Sequence, residues 1–398
     1  MKPRIFINMH YMALGGAERA LLGLLNAIDT DRVDVDLFLN QHEGEFMPLI
    51  PDKINLLPEM KKYSVLEASM GQCFRSGYID VALARCVYKI VRKCYMLLHP
   101  AVRDDDDFFR SCITTWLMPR INPVTDYDLA ISFLTPHKIV LDKVRAKKKV
   151  AWIHTDYSSL PIDKKLPLLI WGKYDYIVSI SCDITKSFSS VFPSLADRLV
   201  EIENILSPEF IWEQAGVIDV EQEMPSFGIK LLSIGRYCHP KNFDNVPDIA
   251  RRVMEHGNID FRWYIIGFGP DEDLIRQKIA EAGMEEHVIL LGKKENPYPY
   301  IKACDIYVQP SRYEGKSVTV REAQVLCKPV IITDYTTSGS QVQNGIDGVI
   351  VPMDNEGCAR GIIDAIKNPD MLNSISSYLS THDYGNEKEV EKVYQLLY

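Results

Sequence analysis

The chain has 398 residues, of which 46% are hydrophobic and 25% are charged, and its formal net charge is −9. This length predicts about two or three domains, and no uncharged apolar run approaches the roughly 18 residues needed to cross a membrane. The nine cysteines include no C-x-x-C pair, and the first residues lack the apolar core of a signal peptide. These features predict a cytoplasmic protein with reduced thiols rather than disulfides or structural zinc.

Charge is distributed unevenly between the two halves of the chain. Residues 1–205 carry 26 Lys and Arg against 25 Asp and Glu, whereas residues 206–398 carry 19 against 29. An acidic second half without a basic face disfavours a nucleic acid as the partner of this protein.

In the first half, short apolar runs alternate with amphipathic stretches. A helix is predicted over Glu18–Ile28, and the alternation breaks over residues 60–123, where we expect a helical insertion. Strands are predicted at Arg4–Met9, Val33–Leu39, Leu129–Phe133, Lys149–Ile153 and Tyr176–Ser179. This order is typical of a parallel sheet built from βαβ units.

A second series of strands follows the polar stretch Glu213 to Ser226, which we interpret as a linker. These strands are predicted at Leu231–Ile234, Phe261–Ile266, Val288–Leu291, Ile306–Val308, Val330–Ile332 and Val349-Ile350. The chain therefore predicts an α/β fold of two tandem Rossmann-like domains, 1–205 and 206–380, which face each other across a ligand-binding cleft. Residues 381–398 have helical spacing and can pack back on the first domain.

The pair Glu314 and Glu322 lies eight residues apart across a predicted strand–loop–helix junction. A helix N-terminus suits an anionic ligand, so two carboxylates there need a cationic or hydroxyl-rich partner. Thr319-x-x-Glu322 has the pattern of a capping box, so Glu322 can either cap the helix or accept the hydroxyls of a ribose. Glu314 has no capping role, and we interpret it as a ligand-binding carboxylate.

Two glycine motifs follow predicted strands of the second half. Gly235-Arg236 precedes Lys241-Asn242, and one arginine with one lysine in such a loop suits a diphosphate. The alternative is a solvated loop with two ordinary surface cations. Gly267-Phe268-Gly269-Pro270 resembles a fragment of the dinucleotide fingerprint but lacks its third glycine, which disfavours NAD as a ligand.

Two positions of the first half can also meet a ligand. Gly15-Gly16 opens a predicted helix, where glycine lets the backbone approach a phosphate, although the motif can equally be a plain turn. His154 follows a buried strand, with Asp156 two residues later. It can donate to a sugar hydroxyl or a phosphate, or it can be a satisfied structural histidine.

The stretch from Arg75 to Arg103 is basic and amphipathic. Its six Lys and Arg residues stand against one acid, Asp80, with apolar residues interleaved. Such a helix can make peripheral contact with an anionic membrane. The alternative is an internal helix with a solvated basic face, and Asp104–Asp107 directly afterwards would be repelled by anionic lipid.

Together these motifs resemble the family 4 retaining glycosyltransferases of the GT-B fold, in particular those that assemble bacterial surface polysaccharides. The segment Glu314–Glu322 corresponds to the family's E-x7-E element, and the glycine, cationic and histidine motifs stand in the family's order. The resemblance implies a nucleotide-diphosphate-sugar donor, taken as a UDP-sugar, and a glycan or lipid-linked glycan acceptor.

The resemblance also implies roles for particular residues. The catalytic set is Glu314, His154, Arg236 and Lys241, with the two cations neutralising the leaving diphosphate. Glu322 would hold the ribose. The implied donor-binding residues are Gly16, Gly235, Arg236, Lys241, Gly267, Glu314, Gly315, Lys316, Ser317, Val318 and Glu322.

Two positions depart from the family pattern. Lys316 stands where the family frequently has Phe, and Ser338-Gly339-Ser340-Gln341 lacks a glutamate that this segment usually carries, which leaves the sugar open. The resemblance further implies same-face substitution without a metal ion or other cofactor, with the enzyme in the cytoplasm or on the inner face of the membrane. A non-catalytic nucleotide-sugar-binding or scaffold subunit and a GT-B sugar-nucleotide epimerase remain alternatives.

Overall fold

The computed structural model describes residues 2–13, 15–66, 68–99, 106–135, 137–154, 157, 165–226, 228–314 and 317–398. The chain forms two compact units, of which the first comprises Met1–Ile205 with Asn386–Tyr398 and the second comprises Leu206–Gly385. Each unit is a parallel sheet with helices. The predicted α/β fold of two Rossmann-like domains is thereby confirmed.

The first unit contains a seven-stranded sheet in the order β3-β2-β1-β4-β5-β6-β7, and all of its strand pairs are parallel. The strand order reverses between β1 and β4, which is the position where open α/β sheets bind ligands. The strands are β1 (Arg4–Met9), β2 (Asp34–Leu39), β3 (Asn55–Leu56), β4 (Tyr127–Ser132), β5 (Ala146–Ile153), β6 (Tyr176–Ser179) and β7 (Leu199–Glu201).

Helices cover this sheet and fill the segment in which the sequence predicts an insertion. They are α1 (Gly16–Ala27), α2 (Lys61–Ser64), α3 (Met70–Arg75), α4 (Ile79–Leu98), α5 (Asp106–Leu117), α6 (Lys138–Lys143), α7 (Leu168–Trp171) and α8 (Cys182–Val191). None of the helices in the described parts of the chain combines the length and hydropathy of a membrane span.

Helix α1 packs closely against the last residue of the first unit's main segment. Leu21 and Leu24 are fully buried, and a Cβ atom on Gly23 would lie 1.8 Å from the carbonyl oxygen of Ile205. Glycine inside a helix is destabilising relative to alanine. Its presence at this position is explained by the close approach of the two backbones.

The second unit contains a six-stranded parallel sheet in the order β10-β9-β8-β11-β12-β13. Alternate residues enter two different hydrophobic clusters, with Trp263 and Ile265 in one and Tyr264 and Ile266 in the other, because successive side chains of a strand point to opposite faces. The strands are β8 (Ile229–Ile234), β9 (Phe261–Ile266), β10 (Val288–Gly292), β11 (Ile306–Gln309), β12 (Val330–Thr333) and β13 (Val349–Val351).

The interpretation of residues 213–226 as a linker is wrong. Val220 and Met224 are buried in the hydrophobic core of the second unit, and Glu223 forms an ion pair with Lys294. The polar residues misled the prediction because the apolar side chains that pack, those of Ala215, Val220 and Met224, are isolated within the segment. The helices of this unit are α9 (Pro208–Gln214), α10 (Val246–Gly257), α11 (Glu272–Ala282), α12 (Tyr298–Ala303), α13 (Val318–Val325), α14 (Ser338–Gln341), α15 (Asn355–Ile366) and α16 (Pro369–Thr381).

The end of the chain returns to the first unit. It forms a 3-10 turn at Glu387–Glu389 and a short helix, α17 (Val390–Gln395). The Tyr394 hydroxyl accepts a hydrogen bond from the backbone N–H of Asp29 at 2.7 Å, and the guanidinium of Arg32 lies 4.1 Å from the Tyr394 ring centre. These contacts place α17 against the loop that follows α1.

Candidate functional site

The candidate residues of the second unit lie at the carboxyl edge of its sheet. Strands β8, β11 and β12 are neighbours in the sheet and run parallel, so the loops that follow them emerge side by side. Gly235 follows β8, and the loop from Pro310 to Glu314 follows β11. The order of the strands reverses between β8 and β11, which again marks the edge where such sheets bind ligands.

Glu314 and Lys241 form an ion pair across these two loops. The Lys241 Nζ atom lies 2.5 Å from Glu314 Oε1, and the buried Ser311 hydroxyl donates to the same oxygen at 2.7 Å. The side chains are only 21% and 11% exposed. A carboxylate at this depth is costly without such partners, so the pair accounts for the position of Glu314.

Hydrogen bonds of Arg312, which the sequence did not single out, and of Asn242 tie the loops together. Arg312 donates to both carboxylate oxygens of Asp244 at 2.8 Å, and Asn242 donates to the carbonyl oxygen of Pro310 at 2.8 Å. Burial raises the pKa of Asp244, but the hydrogen bonds and charge of Arg312 outweigh it and hold that pKa below its usual value. No local pattern pairs residues 68 positions apart.

Glu322 is fully buried in α13 and accepts a hydrogen bond from the Tyr298 hydroxyl at 3.0 Å. The capping-box interpretation is wrong, because α13 begins at Val318 and its N-cap residue is Ser317, without a side-chain capping bond. Thr319 lies inside the helix, where its hydroxyl accepts from Tyr307 at 2.7 Å. Glu322 is thus a buried carboxylate that contacts Tyr298 and does not cap the helix.

A side chain of the protein already accepts a hydrogen bond from one of the backbone N–H groups at the N-terminus of α13. The Ser317 N–H donates to Gln341 Oε1 at 3.1 Å, so this N–H is not available to an anion in the present arrangement. The N–H of Val318 belongs to the first turn, which has no acceptor within the helix. Gly315 and Lys316 lie outside the described residues.

The two strand-end glycines approach other parts of the protein. A Cβ atom on Gly267 would lie 1.9 Å from the carbonyl oxygen of Gly235, and a Cβ on Gly235 would lie 3.1 Å from Lys241 Cε. The close approach of the two backbones therefore accounts for Gly267, whereas the atoms nearest to Gly235 belong to the flexible side chain of Lys241. Beside them Arg236 is exposed, and it makes no hydrogen bond or ion pair with any residue that the structure describes.

In the first unit, three histidines lie at the carboxyl ends of β1, β4 and β5, which are neighbouring strands. His154 was identified from the sequence, whereas His10 and His137 were not. Burial lowers the pKa of His154 to about 4, against an opposing hydrogen bond to the Phe133 backbone. Burial, reinforced by the other two histidines, lowers the pKa of His137 to about 3. Asp156, the suggested partner of His154, lies outside the described residues.

The polar atoms of this histidine group are only partly satisfied. His137 Nδ1 is 2.8 Å from the Ser132 hydroxyl, and His10 Nε2 contacts the carbonyl oxygen of Thr135. The Nε2 atoms of His137 and His154 are buried and have no partner among the described residues. Gly16 is the first residue of α1, and a Cβ atom there would meet nothing within 4 Å.

Among the residues that the structure describes, no three His, Cys, Asp or Glu side chains are arranged to hold a metal ion. The sequence contains several Asp-x-Asp patterns, of which Asp34-Val35-Asp36 lies in β2. Asp36 is instead hydrogen-bonded to Asn55 at 2.6 Å and to the Tyr127 hydroxyl at 2.6 Å. It therefore belongs to a buried polar network at the side of the sheet.

Comparison with known proteins agrees with this architecture. The crystal structure of HepE from Anabaena in complex with UDP and glucose superposes with a TM-score of 0.66 at 16% identity, over 99% of both chains. A structure of TarM from Staphylococcus aureus in complex with UDP and other ligands gives a TM-score of 0.65 at 13% identity, over 100% of both chains. These likenesses show the fold, and the class is GT-B.

Residues 219–381 match the family Glycosyl transferases group 1. The N-acetylgalactosamine-N,N'-diacetylbacillosaminyl-diphospho-undecaprenol 4-alpha-N-acetylgalactosaminyltransferase of Campylobacter jejuni is 29% identical over 216 residues, which cover 52% of this chain and 54% of that protein. The chain thus matches about half the length of this relative. The second unit thus matches a glycosyltransferase family over most of its length, and the whole chain has the GT-B fold. Both findings support the resemblance inferred from the motifs.

The ion pair of the candidate site provides a test of stability. We expect Lys241→Met to lower the free energy of unfolding by about 1 to 3 kcal/mol, because it leaves the Glu314 carboxylate with one partner fewer. Adding Glu314→Gln should restore most of this loss, since the amide is neutral. Urea titration measures the effect, and Lys147→Met, at an exposed ion pair with Asp128, is the control expected to change little. Equal losses in both lysine variants would contradict the assignment.

The histidine group predicts a pH dependence of stability. Because burial holds the pKa values of His137 and His154 below the ordinary 6.5, the folded protein binds fewer protons than the unfolded chain. Their contribution is complete above pH 6.5 and declines as the pH falls towards 4, by about 1.4 kcal/mol per pH unit for each histidine. Urea titrations between pH 7.5 and 5 should therefore show a smaller slope for His137→Asn than for the exposed control His382→Asn. Identical slopes would contradict the prediction.

Proposed function

We propose that this protein is a retaining glycosyltransferase. It transfers a sugar from a UDP-sugar to a glycan or lipid-linked glycan acceptor during the biosynthesis of a bacterial surface polysaccharide. The observation that carries the proposal is the Lys241–Glu314 ion pair at the carboxyl edge of the second sheet, with the uncommitted Arg236 beside it. The UDP bound in the HepE and TarM structures supports the donor class, and the diphospho-undecaprenol in the name of the Campylobacter relative supports a lipid-linked acceptor.

The cationic side of the site suits a leaving diphosphate. Arg236 is exposed and free to form a bidentate bond with phosphate oxygens. The Lys241 ammonium has three N–H donors, of which Glu314 takes one. Because Glu314 already holds this lysine in place, the charge is oriented before a donor arrives, which lowers the cost of stabilising the transition state.

The carboxylates suit the hydroxyl-bearing parts of the donor. Glu314 would accept hydroxyls of the transferred sugar, and the buried Glu322 would accept those of the ribose. The first turn of α13 would contribute its positive dipole and the Val318 N–H to the phosphates. Gly315 and Lys316 would add further donors, as the family resemblance implies. Gly267 would serve the site by permitting its loops to pack.

The chemistry would be a substitution on the same face of the sugar. The departing phosphate oxygen takes the proton of the acceptor hydroxyl while the new glycosidic bond forms. Arg236 and Lys241 supply the positive charge, so the proposed reaction is independent of metal ions. His154 is neutral at physiological pH because burial lowers its pKa to about 4, and it would therefore bind a hydroxyl rather than a phosphate. Gly16 would leave room for a ligand at the start of α1.

A membrane-associated acceptor is compatible with an exposed face of α4. Arg85 does not belong to this face, because it is buried and donates to the carbonyl oxygen of Leu66. The exposed cations Lys89 and Lys93 lie next to an apolar stripe. The exposed apolar residues of the helix are Ile79, Leu83, Val87, Ile90, Val91, Leu97 and Leu98. We propose that this face lies on an anionic membrane surface at the inner side of the membrane. Arg103 and Asp104 lie outside the described residues.

The diphosphate site is tested with Arg236→Ala. We expect this change to weaken UDP binding about tenfold or more and to abolish sugar transfer, because a charge-assisted bond to phosphate is lost. The melting temperature should not change, since the side chain has no partner to lose among the described residues. Calorimetric titration with UDP and mass spectrometry of products from a panel of nucleotide sugars measure both effects.

The matched control is Arg360→Ala, at an exposed arginine on α15. It should bind UDP as the unmodified chain does. Full turnover by Arg236→Ala would contradict the assignment of the phosphate site. UDP binding without turnover of any nucleotide sugar would instead favour a non-catalytic binding subunit.

Membrane association is tested by sedimentation with vesicles. We expect the chain to co-sediment at low salt with vesicles containing phosphatidylglycerol, and Leu83→Glu combined with Ile90→Glu to remain in the supernatant. Both side chains are more than half exposed, so the fold should persist, as circular dichroism would verify. Vesicles of phosphatidylcholine alone control for the anionic charge. If the unmodified chain does not sediment with these vesicles, the proposal that this face of α4 binds a membrane is wrong.

A further inference from the structure

The short helix α14 and its N-cap residue form hydrogen bonds with the backbone of both Glu314 and Ser317. The Thr337 hydroxyl, at the N-cap of α14, donates to the carbonyl oxygen of Glu314 at 2.8 Å. Gln341, at the last position of α14, binds Ser317 twice. Its Oε1 atom accepts from the Ser317 N–H at 3.1 Å, and its Nε2 atom donates to the Ser317 carbonyl oxygen at 2.5 Å. Residues 337–341 therefore hold the backbone at Glu314 and at Ser317.

The side chain of Gln341 is suited to this double contact because an amide both donates and accepts. It is 3% exposed, and its Oε1 atom also accepts from the Tyr335 hydroxyl at 2.8 Å. A carboxylate of the same shape could keep the two contacts to Oε1, because it accepts hydrogen bonds. It could not donate to the carbonyl oxygen of Ser317, and two oxygens would then face each other in a buried place.

Charge gives a second reason for an amide at this position. Burial, reinforced by the negative charge of Glu314, raises the pKa of Tyr335, so the field of Glu314 reaches the tyrosine that contacts Gln341. A second carboxylate here would place two negative charges close together. Among the described residues, Lys241 is the cation that forms an ion pair with Glu314. The neutral side chain avoids this like-charge repulsion.

We propose that Gln341 is a positioning residue of the donor site. It acts through Ser317, by fixing the start of α13, and it makes no contact with the donor itself. The glutamine that departs from the family's usual glutamate is then a requirement of this chain rather than a neutral replacement. The inference rests on the proposed function, because it concerns the binding of a nucleoside diphosphate to the same loops.

The experiment compares UDP binding by Gln341→Glu and Gln343→Glu between pH 6 and 8.5. Gln343 is exposed and lies two residues further along the chain, so it receives the same charge without touching Ser317. At pH 8.5 we expect Gln341→Glu to bind UDP about tenfold more weakly than the control, as the loss of a buried hydrogen bond implies.

The pH profile distinguishes positioning from a general structural defect. A protonated carboxyl group carries one donor and one acceptor, so it can restore both contacts to Ser317. UDP affinity of Gln341→Glu should therefore rise towards that of the control as the pH falls to 6. Gln341→Met, which cannot make either contact, should bind weakly at both pH values. Melting temperatures recorded with each titration verify that the variants are folded.

The outcomes separate the two proposals. Equal UDP affinity of folded Gln341→Glu, Gln341→Met and Gln343→Glu at pH 8.5 would overturn the role of Gln341 and leave the proposed function standing. A folded, unmodified chain that binds neither UDP nor any other nucleoside diphosphate would overturn the proposed function and, with it, the site that Gln341 positions. If Gln341→Glu is unfolded at pH 8.5, the UDP affinity of Gln341→Met is compared with that of Gln343→Glu instead.

Discussion

The ion pair between Lys241 and Glu314 is the interaction on which the candidate site of the second unit depends. It joins opposite charges from the loops after two neighbouring strands, at a depth where neither charge is well solvated. The bonds of Arg312 to Asp244 and of Asn242 to Pro310 hold the two loops together. The surrounding hydrogen bonds thus keep one charged pair in a defined position, where its two side chains can contact a ligand.

The fold was largely accessible from the sequence, because long apolar strands and helical periodicity are local properties. The two strands that escaped prediction are β3 and β7, which have two and three residues and are too short to show alternation. The start of α13 was placed incorrectly for a related reason. Thr319-x-x-Glu322 satisfies the capping pattern, but the hydroxyl of Thr319 is used by Tyr307 from a neighbouring strand. Tertiary hydrogen bonding overrode the local signal.

The sequence could predict only those residues of the candidate site that belong to a contiguous motif. Glu314, Glu322 and Arg236 stand in recognisable segments, whereas the bond between Arg312 and Asp244 joins residues that are distant in the chain. The histidines at the ends of β1 and β4 become neighbours of His154 only through the strand order of the sheet. The sequence shows Gln341 as a departure from the family pattern, but only the structure shows its hydrogen bonds to the backbone of Ser317.

The return of the chain end to the first unit has a consequence for biosynthesis. Domains generally begin to fold as they leave the ribosome, with the N-terminal one first. Here the Tyr394 hydroxyl that binds the backbone of Asp29 is added 365 residues later, after the whole of the second unit. The first unit to be translated is therefore the last to be completed. Until then, the loop after α1 lacks its final partner.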